Sequence, residues 1–281
     1  MRVATVVGNR PQFVKASVVS RRLRERATEI LIHTGQHYDD DLSQVFFDEL
    51  DLPAPDHRLE LGTGSNTQQT ARMLVALEPL LDDLAPDVVL VYGDTNSTLA
   101  GALCAAQQGF PIAHVEAGMR SFDHRMPEEL NRVLTDDCSD LLFCSTQTAI
   151  RNLEREHARG ERHLVGDVMA DLALATLPIA AQRSDALDRF DLEPGSYLLV
   201  TAHRAGTVDD PERLEALVEL LGALPAPALF PVHPRTRTKL EAAGRIDWLA
   251  ASGLKLTAPL GYLDMIRLTA SARAVLTDSG G

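Results

Sequence analysis

Short, solidly apolar runs separated by longer amphipathic segments constrain this chain more than any other feature. Val3–Val7, Ile30–Ile32, Val88–Tyr92, Ile112–Val115 and Leu141–Cys144 read as strands. Helices are predicted between them over Gln12–Arg26, Thr67–Leu84, Ser97–Gln107 and Glu128–Cys138. Strands without polar alternation are buried on both faces, which requires a parallel sheet covered by helices and joined by right-handed crossovers. A second series follows Val165-Gly166-Asp167, with a helix over Asp171–Leu187 and a turn at Pro194-Gly195. Its strands are Tyr197–Thr201, Leu229–Val232, Leu254–Thr257 and Ala274–Thr277. Two βαβ series imply an α/β protein of two doubly wound, Rossmann-like domains facing across a cleft, over residues 1–168 and 169–281. The last strand runs into Asp278-Ser279-Gly280-Gly281, a turn that ordinarily opens a helix facing a ligand. A C-terminal part missing from this chain is therefore expected.

Composition narrows the partners. A net charge of −13 opposes nucleic acid and anionic membranes, both of which need a basic face. Aromatic residues make up 5% of the chain, too few for platforms that stack single-stranded bases. Cys104, Cys138 and Cys144 are odd in number and scattered, which argues against a disulfide framework or a thiolate zinc site and fits a reducing compartment. The apolar run at the N-terminus is too short for a signal-peptide core or a membrane span, so a cytoplasmic protein is expected.

In a doubly wound sheet, ligands collect beyond the carboxyl ends of the strands. The first strand is followed by Gly8-Asn9-Arg10-Pro11-Gln12-Phe13-Val14-Lys15. Gly8 permits a tight turn, Pro11 suits a first helical position, and Arg10 and Lys15 can meet an anion there or simply begin a solvated helix. This is neither a P-loop nor a GxGxxG fingerprint, which removes support for ATP and NAD. The second strand is followed by His33-Thr34-Gly35-Gln36-His37-Tyr38-Asp39. Its His-x-x-x-His spacing suggests zinc only on one helical face, and Gly35 breaks such a face, so polar contacts to a ligand are the better reading and no metal is expected.

Gly93-Asp94-Thr95-Asn96 follows Val88–Tyr92 and puts Asp94 beside Glu116 if those strands are neighbours; a helix cap is the plainer role for Asp94. From Pro111 to Arg132 the chain reads PIAHVEAGMRSFDHRMPEELNR. Glu116 ends its strand, and Pro127 opens a helix carrying Glu128 and Glu129. Carboxylates ending a strand and beginning a helix are what proton transfer on a sugar requires. Glu129 alone reads as a first-turn acid complementing the helix dipole. Glu116, just past a buried strand, is poor packing material and a good site residue. In the second series, Ala202-His203-Arg204 and Val232-His233-Pro234-Arg235 repeat a histidine–arginine grouping suited to a diphosphate, although a lone histidine at either place would more often be structural.

GNRPQFVK, HTGQHYD, VYGDTNST, HVEAGMRSFDHRMPEELNR, HLVGDVM, TAHR, PVHPR, PLGYLDM and TDSGG fall in order along the chain. Together they resemble the non-hydrolysing bacterial UDP-N-acetylglucosamine 2-epimerases, which have the GT-B fold, and the resemblance covers essentially the whole chain. It implies reversible conversion of UDP-GlcNAc to UDP-ManNAc for cell-surface polysaccharides. UDP leaves by anti elimination, a 2-acetamidoglucal stays bound, and UDP adds back with C2 inverted. No cofactor, nicotinamide or metal, is implied; a homodimer is.

Carried over by motif, Asp94, Glu116 and Glu128 match acid/base positions, and His203 matches a histidine near the diphosphate. Arg10 and Lys15 match nucleotide-side contacts, and Leu260 to Met265 match a uracil-contacting loop. Ser279, Gly280 and Gly281 match a diphosphate-binding turn. Gln36, His37, Arg204 and His233 match positions at which some relatives bind a second UDP-GlcNAc as activator. The chain departs from the family at Gly206-Thr207, where Glu-Asn is usual, which removes a carboxylate from cleft closure or activator binding. Two rival expectations are a hydrolysing relative that releases ManNAc and UDP, and a nucleotide-sugar-binding protein without turnover. A glycosyltransferase is the rival at the level of fold alone.

Overall fold

The computed structural model describes residues 1–35, 53–59, 61, 62 and 64–279, with Arg10 described through its backbone. The chain divides into two compact units, Met1–Leu172 and Ala173–Gly281, and the division falls inside the helix Val168–Arg183.

In the first unit the strands are β1 Arg2–Val7, β2 Thr28–His33, β3 His57–Arg58, β4 Val88–Tyr92, β5 Ile112–Val115, β6 Leu141–Cys144 and β7 Glu161–Leu164. They form one parallel sheet in the order β3-β2-β1-β4-β5-β6-β7. The edge strands β3 and β7 were not among the expected elements. Both are short and mostly polar, and none of their residues is buried, so they carry no apolar run to read.

The apolar strands are covered on both faces, as their lack of alternation requires. On one face Ala4, Val6, Val89 and Val91 pack with Met73, Leu77 and Leu81 of the helix Asn66–Leu84 and with Ala100 and Ala102 of the helix Asn96–Gln108. On the other, Val3, Val7, Leu90 and Tyr92 pack with Phe13 and Ala16 of the helix Arg10–Leu23. Register decides the site: Tyr92 of β4 is paired with Val115 of β5. Asp94 and Glu116 therefore leave the sheet side by side at its carboxyl edge.

The second unit holds β8 Leu198–Thr201, β9 Ala228–Pro231, β10 Leu254–Thr257 and β11 Ala274–Thr277. These pair in parallel in the order β10-β9-β8-β11. Val200, Phe230 and Val232 pack with Leu214, Val218 and Leu240 on one side, while Tyr197, Leu199 and Leu229 pack with Leu268 on the other. The single helix expected over Asp171–Leu187 is two, Val168–Arg183 and Ala186–Arg189. The cause is Ser184, whose hydroxyl accepts the Ala186 amide at 3.3 Å, a side-chain turn that competes with helical continuation. The α/β class with two parallel, doubly wound sheets matches expectation. Among the described residues no helix is long and apolar enough to cross a membrane.

Candidate functional site

The site is assembled where β1, β4 and β5 end. Asn9 caps the helix Arg10–Leu23 by accepting the Gln12 amide, and Pro11 sits in its first turn, where a missing N–H costs nothing. Gln12 is buried; its Oε1 accepts the Gly8 amide at 2.8 Å, and its Nε2 donates to the Tyr92 carbonyl and to Thr98 Oγ1, both at 2.9 Å. One side chain thus ties the exits of β1 and β4 together. The next turn of the helix carries Lys15, whose Nζ meets Glu116 Oε2 at 2.5 Å, with side-chain exposures of 13% and 18%. Gly93, at φ +64°, makes room for this pair: a Cβ there would lie 3.0 Å from the Lys15 Nζ and 3.4 Å from the Glu116 carboxylate.

Glu116 itself has φ +68°, a conformation that costs a non-glycine residue about 1–3 kcal/mol unless its surroundings over-determine it. They do: the Gly93 amide donates to Val115 O at 3.0 Å, the Ala117 amide to Phe143 O at 3.1 Å, and the Gly118 amide to Asp136 Oδ2 at 3.0 Å. Lys15 was expected at an anion, and the anion it meets within the molecule is Glu116.

Asp94 does not cap the helix that follows it. Thr95 does, accepting the Thr98 amide at 3.3 Å, and this leaves the Asp94 carboxylate to pair with Arg132 at 2.5 Å. Arg132 also reaches Glu129 at 2.7 Å. The sequence reading of Glu129 is corrected here, since only 1% of it is exposed. Its side chain folds back from the helix start to accept the Ser121 amide at 2.9 Å, the Phe122 amide at 2.8 Å and the Ser121 hydroxyl at 3.0 Å. Burial alone would raise its pKa; these N–H donors and Arg132 override burial and hold it at about 2. Glu129 braces the loop between β5 and the helix Pro127–Cys138 rather than complementing a solvated dipole.

Glu128 is exposed and lines, with Asp94, a cleft of about 260 Å³. The remaining walls carry five amides, Asn9, Asn66, Gln69, Asn96 and Asn131. Asn96 Nδ2 lies 3.2 Å from both Asn66 Oδ1 and Gln69 Oε1, and Asn131 Nδ2 donates to the Asp94 carbonyl at 2.9 Å. Carboxamides flanking carboxylates suit a ligand rich in hydroxyl and amide groups. Sequence reasoning missed all five. The one available signal was Asn66 and Gln69 three apart on one helical face.

Beneath the carboxylates lies a buried polar cluster. His114 is 0% exposed; its Nε2 donates to the Gly93 carbonyl at 2.8 Å and its Nδ1 lies 2.7 Å from Asp136 Oδ1. Arg120 reaches Asp136 Oδ2 at 2.8 Å and Glu156 at 2.5 Å. Burial would raise the Asp136 pKa, but His114 and Arg120 beside it hold it below the ordinary carboxylate range.

In the second unit, Asp278 at the end of β11 accepts the backbone amides of His203 at 3.0 Å and Arg204 at 2.9 Å, and the Thr207 hydroxyl as well. Burial is overcome and its pKa lies below the usual value. The His203 and His233 rings lie 5.8 Å apart, and His233 Nδ1 accepts the Arg235 amide at 3.2 Å. The two histidine groupings are thus brought to one edge of this sheet. Thr277 Oγ1 accepts the Ser279 amide at 3.0 Å, which places Ser279 at the same edge. Leu260 and Met265 pack against Tyr197, Leu199 and Leu268, so these two side chains serve the core. Asp278, which organises the β8 exit, was quoted within a motif but assigned no role by sequence.

Gln36, His37, Gly280 and Gly281 lie outside the described residues, as does the Arg10 side chain. Among the described residues no group of three or more His, Cys, Asp and Glu side chains is arranged to hold a metal ion.

A twin-sheet α/β protein with carboxylates at one sheet edge and a histidine pair at the other has known relatives. The family description "UDP-N-acetylglucosamine 2-epimerase" matches residues 21–281. A Methanococcus maripaludis protein named UDP-N-acetylglucosamine 2-epimerase homolog is 47% identical over 100% of this chain and 79% of its own length. A Pseudomonas aeruginosa protein named UDP-2,3-diacetamido-2,3-dideoxy-D-glucuronate 2-epimerase is 46% identical, with the same coverage of each. The crystal structure of Methanocaldococcus jannaschii UDP-GlcNAc 2-epimerase in complex with UDP-GlcNAc and UDP is similar at a TM-score of 0.87 and 40% identity, over 100% of this chain and 79% of that one. The chain belongs to the UDP-N-acetylglucosamine 2-epimerase family.

Proposed function

We propose that this protein epimerises UDP-N-acetylglucosamine at C2, giving UDP-N-acetylmannosamine without net hydrolysis. The observation that carries the reading is the placement of Glu116, paired with Lys15, and Asp94, paired with Arg132, at the ends of neighbouring strands, with Asp94 and Glu128 lining an amide-walled cleft. The C2 proton of the sugar is not acidic until the C1–O bond stretches and positive charge develops on the ring. A carboxylate then takes that proton, the C2–H electrons form the C1=C2 double bond, and the C1–O electrons leave with UDP. The other carboxylates stabilise the developing cation electrostatically. Re-addition runs the same steps backwards, with the proton delivered to the opposite face of C2. Asp94, Glu116 and Glu128 supply these groups. His203, Arg204 and the turn at Ser279 hold the diphosphate, and the backbone of Leu260 to Met265 contacts the uracil. His233, with Arg204, contributes to an activating nucleotide-sugar site, and a homodimer is the working assembly.

A second substrate is favoured by one observation. The relative named for UDP-2,3-diacetamido-2,3-dideoxy-D-glucuronate is 46% identical, level with the 47% of the Methanococcus maripaludis UDP-N-acetylglucosamine 2-epimerase homolog. Elimination and re-addition at C2 are the same chemistry on that sugar, and the carboxamides of the cleft suit a second acetamido group as well as one.

Proton NMR in deuterated water with each nucleotide sugar tests the proposal. The 2-epimer, carrying deuterium at C2, is the expected product. Free N-acetylmannosamine with UDP would replace epimerisation by hydrolysis. Unchanged sugar with UDP bound in calorimetry would leave a binding protein. Turnover of the diacetamido sugar alone would move the substrate and keep the mechanism.

A further inference from the structure

We infer that His114 and Asp136, which touch no substrate, are positioning residues that set the reaction rate by fixing Asp94 and Glu116 relative to each other. The inference rests on the proposed epimerisation and assigns residues that reading does not use. His114 precedes Glu116 by two positions on β5, and its Nε2–H is spent on the carbonyl of Gly93, the residue joined to Asp94. That bond fixes the peptide from which Asp94 emerges. Its other ring nitrogen meets Asp136, which lies on the same helix as Glu128 and Arg132. Asp136 in turn accepts the Gly118 amide and Arg120, which grip the turn just after Glu116.

The pair is therefore bonded to the backbone on one side of each candidate carboxylate and to the helix carrying the third. Both residues are almost wholly buried, at 0% and 1% exposure, so solvent cannot replace either partner. Glu116 holds φ +68°, which relaxes once the turn is released. A displacement of about 1 Å at a proton-transfer group can cost about 100-fold in rate while leaving the handles that bind the nucleotide untouched.

The test measures kcat, KM and UDP affinity for wild type, His114→Phe, Asp136→Asn and the double variant, on both nucleotide sugars in deuterated water. Each single variant should lose about 100-fold in kcat, with KM and UDP affinity within about threefold of wild type. The double variant should be no worse than either single, since the two residues act as one unit, instead of showing the product of both losses. His114→Gln, whose amide N–H can still reach the Gly93 carbonyl, should recover about tenfold over His114→Phe. If His114→Phe does not fold, His114→Gln and Asp136→Asn decide by the same split.

A folded His114→Phe within about twofold of wild-type kcat overturns the inference. So do losses shared equally by kcat, KM and UDP affinity, or multiplicative losses in the double variant. A wild-type protein inert on both sugars overturns the proposed function instead, and the inference with it.

Discussion

At the scale of single residues, polar side chains at the sheet edge are held in pairs drawn from distant parts of the chain. Lys15 and Glu116 are 101 positions apart, and Arg132 and Asp94 are 38 apart. Each pairing leaves a carboxylate partly desolvated and fixed in direction, which is what a proton-transfer group needs. Asp94→Asn, Glu116→Gln and Glu128→Gln should each lower kcat at least about 100-fold, with unchanged circular dichroism. Near-wild-type rates in all three would remove the mechanism. At Gly93 a side chain would crowd the Lys15–Glu116 pair. Gly93→Ala should cost about 1–2 kcal/mol in urea denaturation, because φ +64° disfavours a Cβ. It should also lower kcat by crowding the Lys15–Glu116 pair.

At the scale of elements, the loop from Ala117 to Met126 and the helix it enters behave as one piece, joined by Glu129. The sign of its pH dependence follows from a folded pKa of about 2 against an ordinary 4.5. The stability it contributes is complete above pH 4.5 and is lost as pH falls toward 2. The stability gap between wild type and Glu129→Gln should therefore be widest above pH 4.5 and close on acidification, as read by denaturant titration at each pH. A gap that does not vary with pH would mean the brace is not ionic. Sequence placed this carboxylate in a first helical turn, where most acids face water. Nothing local records that the preceding loop doubles back to present Ser121 and Phe122 amides to it.

At the scale of the whole molecule, two compact units with separate cores should not unfold in a single two-state step. Differential scanning calorimetry should show two transitions. If the second unit holds the diphosphate as proposed, UDP at about 100 times its dissociation constant should stabilise that unit by about 2.7 kcal/mol. An equal shift of both transitions, or a shift of the first unit's alone, would reassign the nucleotide.

The amino-acid sequence by itself determined the α/β class, the two series of parallel strands and the places where chemistry leaves the sheet. Apolar periodicity is a local record of which faces are buried, and eight of the eleven strands among the described residues are anchored by buried apolar cores that declare themselves this way. Tertiary structure alone decided what each polar group meets. Register put Asp94 next to Glu116, a glycine at positive φ admitted Lys15 between the strand ends, and the fold buried His114 and Asp136 against each other and Glu129 against the Ser121 and Phe122 amides. A charged side chain is satisfied equally by water or by a partner a hundred residues away. Its local sequence therefore carries no mark of which it will find, and only the closed packing of β1, β4, β5 and the helix Pro127–Cys138 makes that choice.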